Sequence, residues 1–222
     1  MSATRLVVVR HGVTDWNREG RFQGHLDPPL GDDGRREATL VAERIGSDDL
    51  LKPGRIVSSP LARASETAAA IGDVVGLAVE TDDRLIEIGQ GEWEGRTHAE
   101  LEVTDAERYR AWRDAAGIRQ PPGGETIDSA VARITALVGD LAADDRGTFC
   151  LVSHGGTMRV LARVLLDLAD GRSWALDVDN ASVGVASRVA GRWRLDRWND
   201  TRHLLGYELT HVDEAEGRPL AL

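Results

Sequence analysis

Residues 5–12 read RLVVVRHG, and residues 148–156 read TFCLVSHGG. In each, a short apolar run (Leu6 to Val9, Phe149 to Val152) leads into a histidine followed by glycine. A continuous apolar run of this length leaves no solvated face, so it predicts a strand buried on both sides, as in a parallel sheet covered by helices. A third such strand is predicted at Ile56 to Ser58, ending in Ser58-Ser59-Pro60. Between the strands, apolar residues recur every three or four positions, the period of a helix packed by one face. Gly34, Ala38, Val41 and Ile45 mark one helix. Leu61, Ala64, Ala68, Ile71 and Val75 mark another, which Gly76 ends. Helices are also predicted over 104–116, 126–142 and 156–168, and alternating segments at 182–189 and 192–198, joined by Ala190-Gly191, predict a hairpin. This alternation predicts an α/β fold: a mostly parallel central sheet with helices on both faces, an α/β/α sandwich. In such sheets ligands bind at the carboxyl ends of the strands.

The chain has 222 residues, with no internal repeat and no low-complexity linker, which predicts a single domain over 1–222. Its 27 basic against 37 acidic residues give a formal charge of −10, which suits it poorly to nucleic acid or an anionic membrane, since both need a basic face. No apolar run approaches the ~18 residues of a membrane span, and the first residues lack the pattern of a secretory signal. A soluble, cytoplasmic protein is expected. The one cysteine, Cys150, excludes a disulfide framework within the chain and, inside an apolar strand, reads as a small buried hydrophobe. Lys52 is the only lysine, so arginine is simply common here and a single arginine counts only by its place in a motif.

Those places are informative. The first strand ends in Arg10-His11-Gly12, the second is followed by Arg63 one turn into a helix, and the third ends in Ser153-His154-Gly155-Gly156. Two histidines and two arginines therefore converge on one sheet edge, making a cationic site of phosphate size. Guanidinium forks match phosphate oxygens bidentately, helix N-termini add N–H donors, and glycine permits close backbone approach.

These stretches, LVVVRHGVTDWN at 6–17, FQGHLDPPLGDDG at 22–34, SSPLARASETA at 58–68, LIEIGQGEWEG at 85–95 and VSHGG at 152–156, resemble the histidine phosphatase superfamily, the phosphoglycerate mutase-like fold, over about residues 5–203. The resemblance implies that His11 is the phosphorylated nucleophile and that Arg10, Arg63 and His154 hold the phosphoryl oxygens. It implies Asn17, Gln23, Gly24 and Gly155 as further substrate contacts and Glu87 as the proton donor, with Glu92 and Glu94 as competing acids in a solvated loop. An insertion over about 86–145 would cover the active site. No metal and no cofactor is called for: two arginines and a second histidine can neutralise a phosphate dianion, and neutral imidazole is a competent nucleophile near pH 7.

Within the family, Ile86-Glu87-Ile88 lacks the arginine that mutases carry beside the acid, and the stretch before His154 is short. Both features favour hydrolysis over a phosphoglycerate mutase; a non-catalytic phospho-ligand module would have no need for the whole set of site residues. The tail RWRLDRWNDTRHL is similar to that of actinobacterial members of the phosphatase branch, which implies a phosphorylated sugar or glycerate derivative as the small-metabolite partner, and leaves room for a homodimer. Other residues read more plainly. His25, His98 and His211 lack metal-ligand spacing and are expected on the surface. Trp16, Trp93 and Trp112 are candidates for stacking on a sugar, or for the core. Glu125 in GGET either belongs to the phosphatase pattern or starts the helix at 126, and His203 is a candidate for the substrate mouth.

Overall fold

A computed structural model describes residues 4–114, 120–144, 147–169 and 171–206. The apolar runs form β1 (Arg5–Arg10), β2 (Arg55–Ser58) and β4 (Thr148–Ser153), with β3 (Val79–Thr81) at one edge and the hairpin β5 (Val183–Val189) and β6 (Arg192–Asp200) at the other. The strand order is β3-β2-β4-β1-β5-β6. The pairs β3/β2, β2/β4 and β4/β1 are parallel, whereas β1/β5 and β5/β6 are antiparallel. The hairpin turns through Ala190 (φ 50°) and Gly191 (φ 81°). Two successive left-handed residues twist such a turn to match the strands it joins.

Alternate residues of each strand face opposite layers. Leu6, Val8, Phe149 and Leu151 pack under α6 (Ile127–Ala143) and α7 (Gly155–Leu166), while Val7, Val9, Ile56, Cys150 and Val152 pack under α2 (Asp32–Ser47) and α3 (Ala62–Val75). Each fully buried aliphatic side chain is worth about 1.5–3 kcal/mol, so these two layers hold the sheet between its helices. Gly76 closes α3 at φ 72°, as its place after the apolar stripe predicts.

The predicted helix over 104–116 is two: α4 (His98–Thr104) and α5 (Ala106–Asp114), broken at Asp105; residues 115 and 116 lie outside the described residues. Asp105 is diverted because its Oδ2 accepts the indole N–H of Trp93 at 2.8 Å and its Oδ1 that of Arg108 at 2.7 Å. Trp93, Leu101, Tyr109 and Trp112 gather with Phe22 into a third, separate aromatic core. Trp93 and Trp112 are 0% and 4% exposed. They are packing residues and offer no face to a sugar, so of the two readings open for them the core is the one the fold takes.

Two glycines let the loop after β1 lie against α2. A Cβ on Gly12 would strike the Gly34 carbonyl, and a Cβ on Gly34 would strike the Val13 carbonyl. That close approach fixes the path of the chain as it leaves Arg10-His11. Among the described residues no helix is long and apolar enough to cross a membrane.

Candidate active site

Because β2, β4 and β1 are parallel neighbours, with Ser58 beside Val152 and Ser153 beside Arg10, their carboxyl ends open on one cleft. It is lined by Arg10, His11, Asn17, Gln23, Gly24 and Arg63, with Glu87, Gln90 and His98 from the segment after β3. His154, fully buried, lies beside His11, the two ring centroids 5.1 Å apart. The structure thus brings together the strand-end residues and Glu87.

His11 is 2% exposed, and its Nδ1 lies 2.7 Å from the carbonyl of its neighbour Gly12. A carbonyl can only accept, so Nδ1 carries the proton and Nε2 keeps its lone pair. Burial, with the charges of Arg63 and Arg10, holds His11 well below the usual histidine range. His154 meets the Ser59 hydroxyl through Nε2 at 2.8 Å, while its Nδ1 is buried without a hydrogen-bond partner. Burial, then Arg63, lowers its pKa too. Both rings are therefore neutral near pH 7.

Arg63 is almost fully buried at the start of α3. Its NH1 and NH2 donate to the carbonyls of Leu26 and Gly24, each at 2.9 Å, which ties the 22–30 loop to the cleft. Burial pulls its pKa down to about 10, against the opposing pull of Glu87 and Asp27. Arg10 donates from NH1 to Val178 O at 2.5 Å; Nε of both arginines is buried without a partner. Asn17 belongs to a capping box on α1 (Asp15–Arg18): its Oδ1 accepts the Thr14 N–H at 3.0 Å, so Nδ2 is the part of the amide left to donate. Gln23 likewise turns Oε1 toward the Thr14 hydroxyl, 3.1 Å away. Gly24 is left-handed (φ 51°), and a Cβ there would strike the Glu94 carboxylate. Gly155 opens α7 within van der Waals range of Arg10 and Arg159 for any added Cβ.

The Glu87 carboxylate meets the N-terminus of α7. Oε1 accepts from Ile88 N (2.8 Å) and Thr157 N (3.0 Å), and Oε2 from Gly156 N (3.1 Å). A Cβ on Gly156 would come within 2.8 Å of Oε1, so the second glycine of SHGG admits this carboxylate. Glu92 is an exposed partner of Arg108 at 3.0 Å, as expected of a solvated loop. Glu94 is not merely solvated: its Oε1 accepts the backbone N–H of His25 at 3.0 Å and of Gln90 at 2.9 Å, bracing the loop that carries Glu87.

Several residues escaped the sequence reading. Ser59, Thr157 and the buried Arg159 adjoin the cleft, and burial draws the Arg159 guanidinium down to about 10. His98, expected on the surface, is a partly buried wall of the cleft. Its Nδ1 lies 2.8 Å from the Tyr109 hydroxyl, and burial, helped by Arg113, lowers its pKa to about 4. His25 is exposed as expected, though its Nε2 reaches Glu87 O at 2.9 Å. His211 lies outside the described residues. His203 is not part of the cleft lining. It is partly buried near Arg44 and Asp200, and burial lowers its pKa. Cys150 is fully buried, its thiol pushed up to about 12. Among the described residues no group of three or more His, Cys, Asp or Glu side chains is placed to hold a metal ion.

The buried neutral rings predict a pH dependence of stability. Unfolded, His11 and His154 would bind protons near pH 6.5; folded, they resist until well below it. The unfolded chain therefore holds more protons as pH falls through 6.5, and stability is lost on that side and flat above it. Denaturant midpoints should fall from pH 7.5 to 5.5, each histidine contributing at most about 1.4 kcal/mol per pH unit. A His11→Asn variant should show a shallower fall, and an unchanged slope would refute the assignment.

Fold and cleft define a class: an α/β protein that gathers two guanidinium groups and two imidazoles at the carboxyl ends of parallel strands. The family model of the histidine phosphatase superfamily (branch 1) matches residues 6–201, and the chain belongs to that superfamily. It is 38% identical to glucosyl-3-phosphoglycerate phosphatase of Mycobacterium tuberculosis over 221 residues, covering 90% of this chain and 96% of that one. It is 33% identical to phosphoserine phosphatase 1 of Hydrogenobacter thermophilus, covering 90% and 94%. The solved structure of the mycobacterial glucosyl-3-phosphoglycerate phosphatase complexed with VO3 superposes with a TM-score of 0.81, 40% identity, and coverage of 90% and 100%.

Proposed function

We propose that this protein is a metal-independent phosphatase that hydrolyses small phosphomonoesters through a phosphohistidine on His11. The observation that carries this reading is the 2.7 Å bond from His11 Nδ1 to Gly12 O, which leaves a neutral Nε2 nucleophile in a cleft that also holds Arg10 and Arg63. Nε2 attacks phosphorus, the N–P bond forms and the P–O bond to the alcohol breaks. The departing oxygen takes a proton from Glu87. Water then attacks phosphorus, returning a proton to Glu87, and the N–P bond breaks to release inorganic phosphate. Arg10, Arg63, His154, Asn17 and Gln23 supply donors to the equatorial oxygens, where charge accumulates. Oε2 of Glu87 accepts one N–H against two for Oε1, so Oε2 is the oxygen with room for the proton. The stretch 86–145, which contributes Glu87, Gln90 and His98 to the cleft, acts as the cover of a single-domain enzyme. The acidic chain works in the cytoplasm as a monomer or homodimer, without nucleic acid or membrane.

The similarity to the mycobacterial enzyme supports a phosphorylated sugar or glycerate derivative as substrate. A panel including glucosyl-3-phosphoglycerate, phosphoserine and sugar phosphates tests this. The expected outcome is a kcat/KM for the first at least tenfold above the others, and a preference for phosphoserine would reject it. 3-Phosphoglycerate with a bisphosphoglycerate primer should yield inorganic phosphate rather than 2-phosphoglycerate.

Glu87→Gln should slow hydrolysis of an alkyl phosphate by about 10²–10⁴-fold and that of an aryl phosphate with a good leaving group far less, because only a basic leaving oxygen needs the proton. Equal losses on both would move the acid elsewhere, to Glu94 before Glu92.

A further inference from the structure

Glu125, which the proposed mechanism does not use, lies just before the N-cap of α6 and pairs with Arg133 one helical face further on. Arg133 Nε donates to Oε1 at 2.9 Å and NH2 to Oε2 at 3.0 Å, a two-point ion pair whose side chains are 14% and 15% exposed. The pairing fixes the plane of the guanidinium, and that plane aims its remaining donors. NH1 donates to Arg84 O at 2.5 Å, and NH2 lies 3.4 Å from Thr157 Oγ1. With its oxygen occupied from that side, the Thr157 hydroxyl gives its hydrogen to Ile86 O at 2.6 Å. Thr157 also donates its backbone N–H to Glu87 Oε1. The carbonyls of Arg84 and Ile86 are thus gripped from α6 and α7, immediately before Glu87 in the chain.

We propose that Glu125 and Arg133 are positioning residues for the Glu87 carboxyl, acting through Thr157 and the 84–87 backbone. Glu125 has two tasks in this arrangement. It holds the fork in the plane that reaches Arg84 O and Thr157. It also neutralises a cation near enough to the cleft to bear on His154. Released from Glu125, Arg133 would be a shielded charge able to swing toward the carboxyl that must deliver a proton.

The inference rests on Glu87 being the proton donor, so its test runs Glu87→Gln in parallel. Wild type, Glu125→Gln, Arg133→Lys and Glu87→Gln are compared on an alkyl phosphate and on an aryl phosphate with a good leaving group. Glu125→Gln should lower kcat for the alkyl ester by about tenfold, a fraction of what a general acid supplies, and leave its KM within about twofold. The aryl ester should change by less than about twofold, because its leaving group asks little of the acid. Arg133→Lys, which keeps the charge and loses the fork, should show the same selectivity. An equal loss on both esters would make the pair a purely structural brace and overturn the inference, as would no loss on either. If Glu87→Gln itself showed no selectivity, the assignment of the acid would fail instead.

Discussion

The His11→Ala variant is expected to lose phosphatase activity on every substrate by at least about 10⁴-fold, including on aryl phosphates that need no acid. Removing the nucleophile of a covalent mechanism takes away a step that no neighbouring group can supply; in a serine protease the same deletion costs about 10⁶ in kcat. His154 is assigned to hold a phosphoryl oxygen rather than to attack, with its Nε2 engaged by Ser59 at 2.8 Å. The loss should not come from unfolding. The ring makes one hydrogen bond, to the carbonyl of the adjacent residue, and its burial as a neutral group weakens the fold at low pH. His11→Ala should therefore melt no earlier than wild type at pH 5.5 while being inactive at pH 7.5. Retention of a tenth of the aryl activity would place the nucleophile elsewhere.

Arg63→Met should lower kcat/KM by about 10²–10³-fold, the loss seen when a single donor to a developing oxyanion is removed from a buried site. Arg63→Lys is the more telling variant. Lysine restores the charge, but its single Nζ cannot span the carbonyls of Leu26 and Gly24 and also reach a phosphate. It should recover less than about tenfold of that loss. Near-wild-type activity in Arg63→Lys would mean that charge alone, not the planar fork, matters there.

The reasons the fold could be read in advance are local. Leu6 to Val9 and Phe149 to Val152 are apolar without interruption because both sheet faces are covered, and Gly76 and Ala190-Gly191 mark ends that their backbone conformations confirm. β3 went unseen because it is three residues long, on the sheet edge and largely exposed. The break at Asp105 carries no proline or glycine; a side-chain bond to Trp93, twelve residues away, makes it. The strand-end residues were legible for the same local reason: a histidine or arginine there must face the cleft. His98 was misread, and Trp93 left open between core and cleft, because their surroundings are assembled by an aromatic core whose members, Phe22 to Trp112, are scattered through polar sequence. Arg133, Thr157 and Ser59 act across 24 to 95 residues of chain, and no spacing rule reaches that far.

The covalent step is the centre of the account, and trapping it is the direct test. Enzyme turning over a ³²P-labelled phosphomonoester, quenched in alkali, should carry label on His11, located by peptide mapping. The label should survive base and be released by acid, as a phosphoramidate is. His154→Ala should form it more slowly and on the same residue. Label on His154, or turnover of wild type at full rate with no acid-labile label at any quench time, would contradict the assignment of His11 Nε2 as the atom that attacks phosphorus.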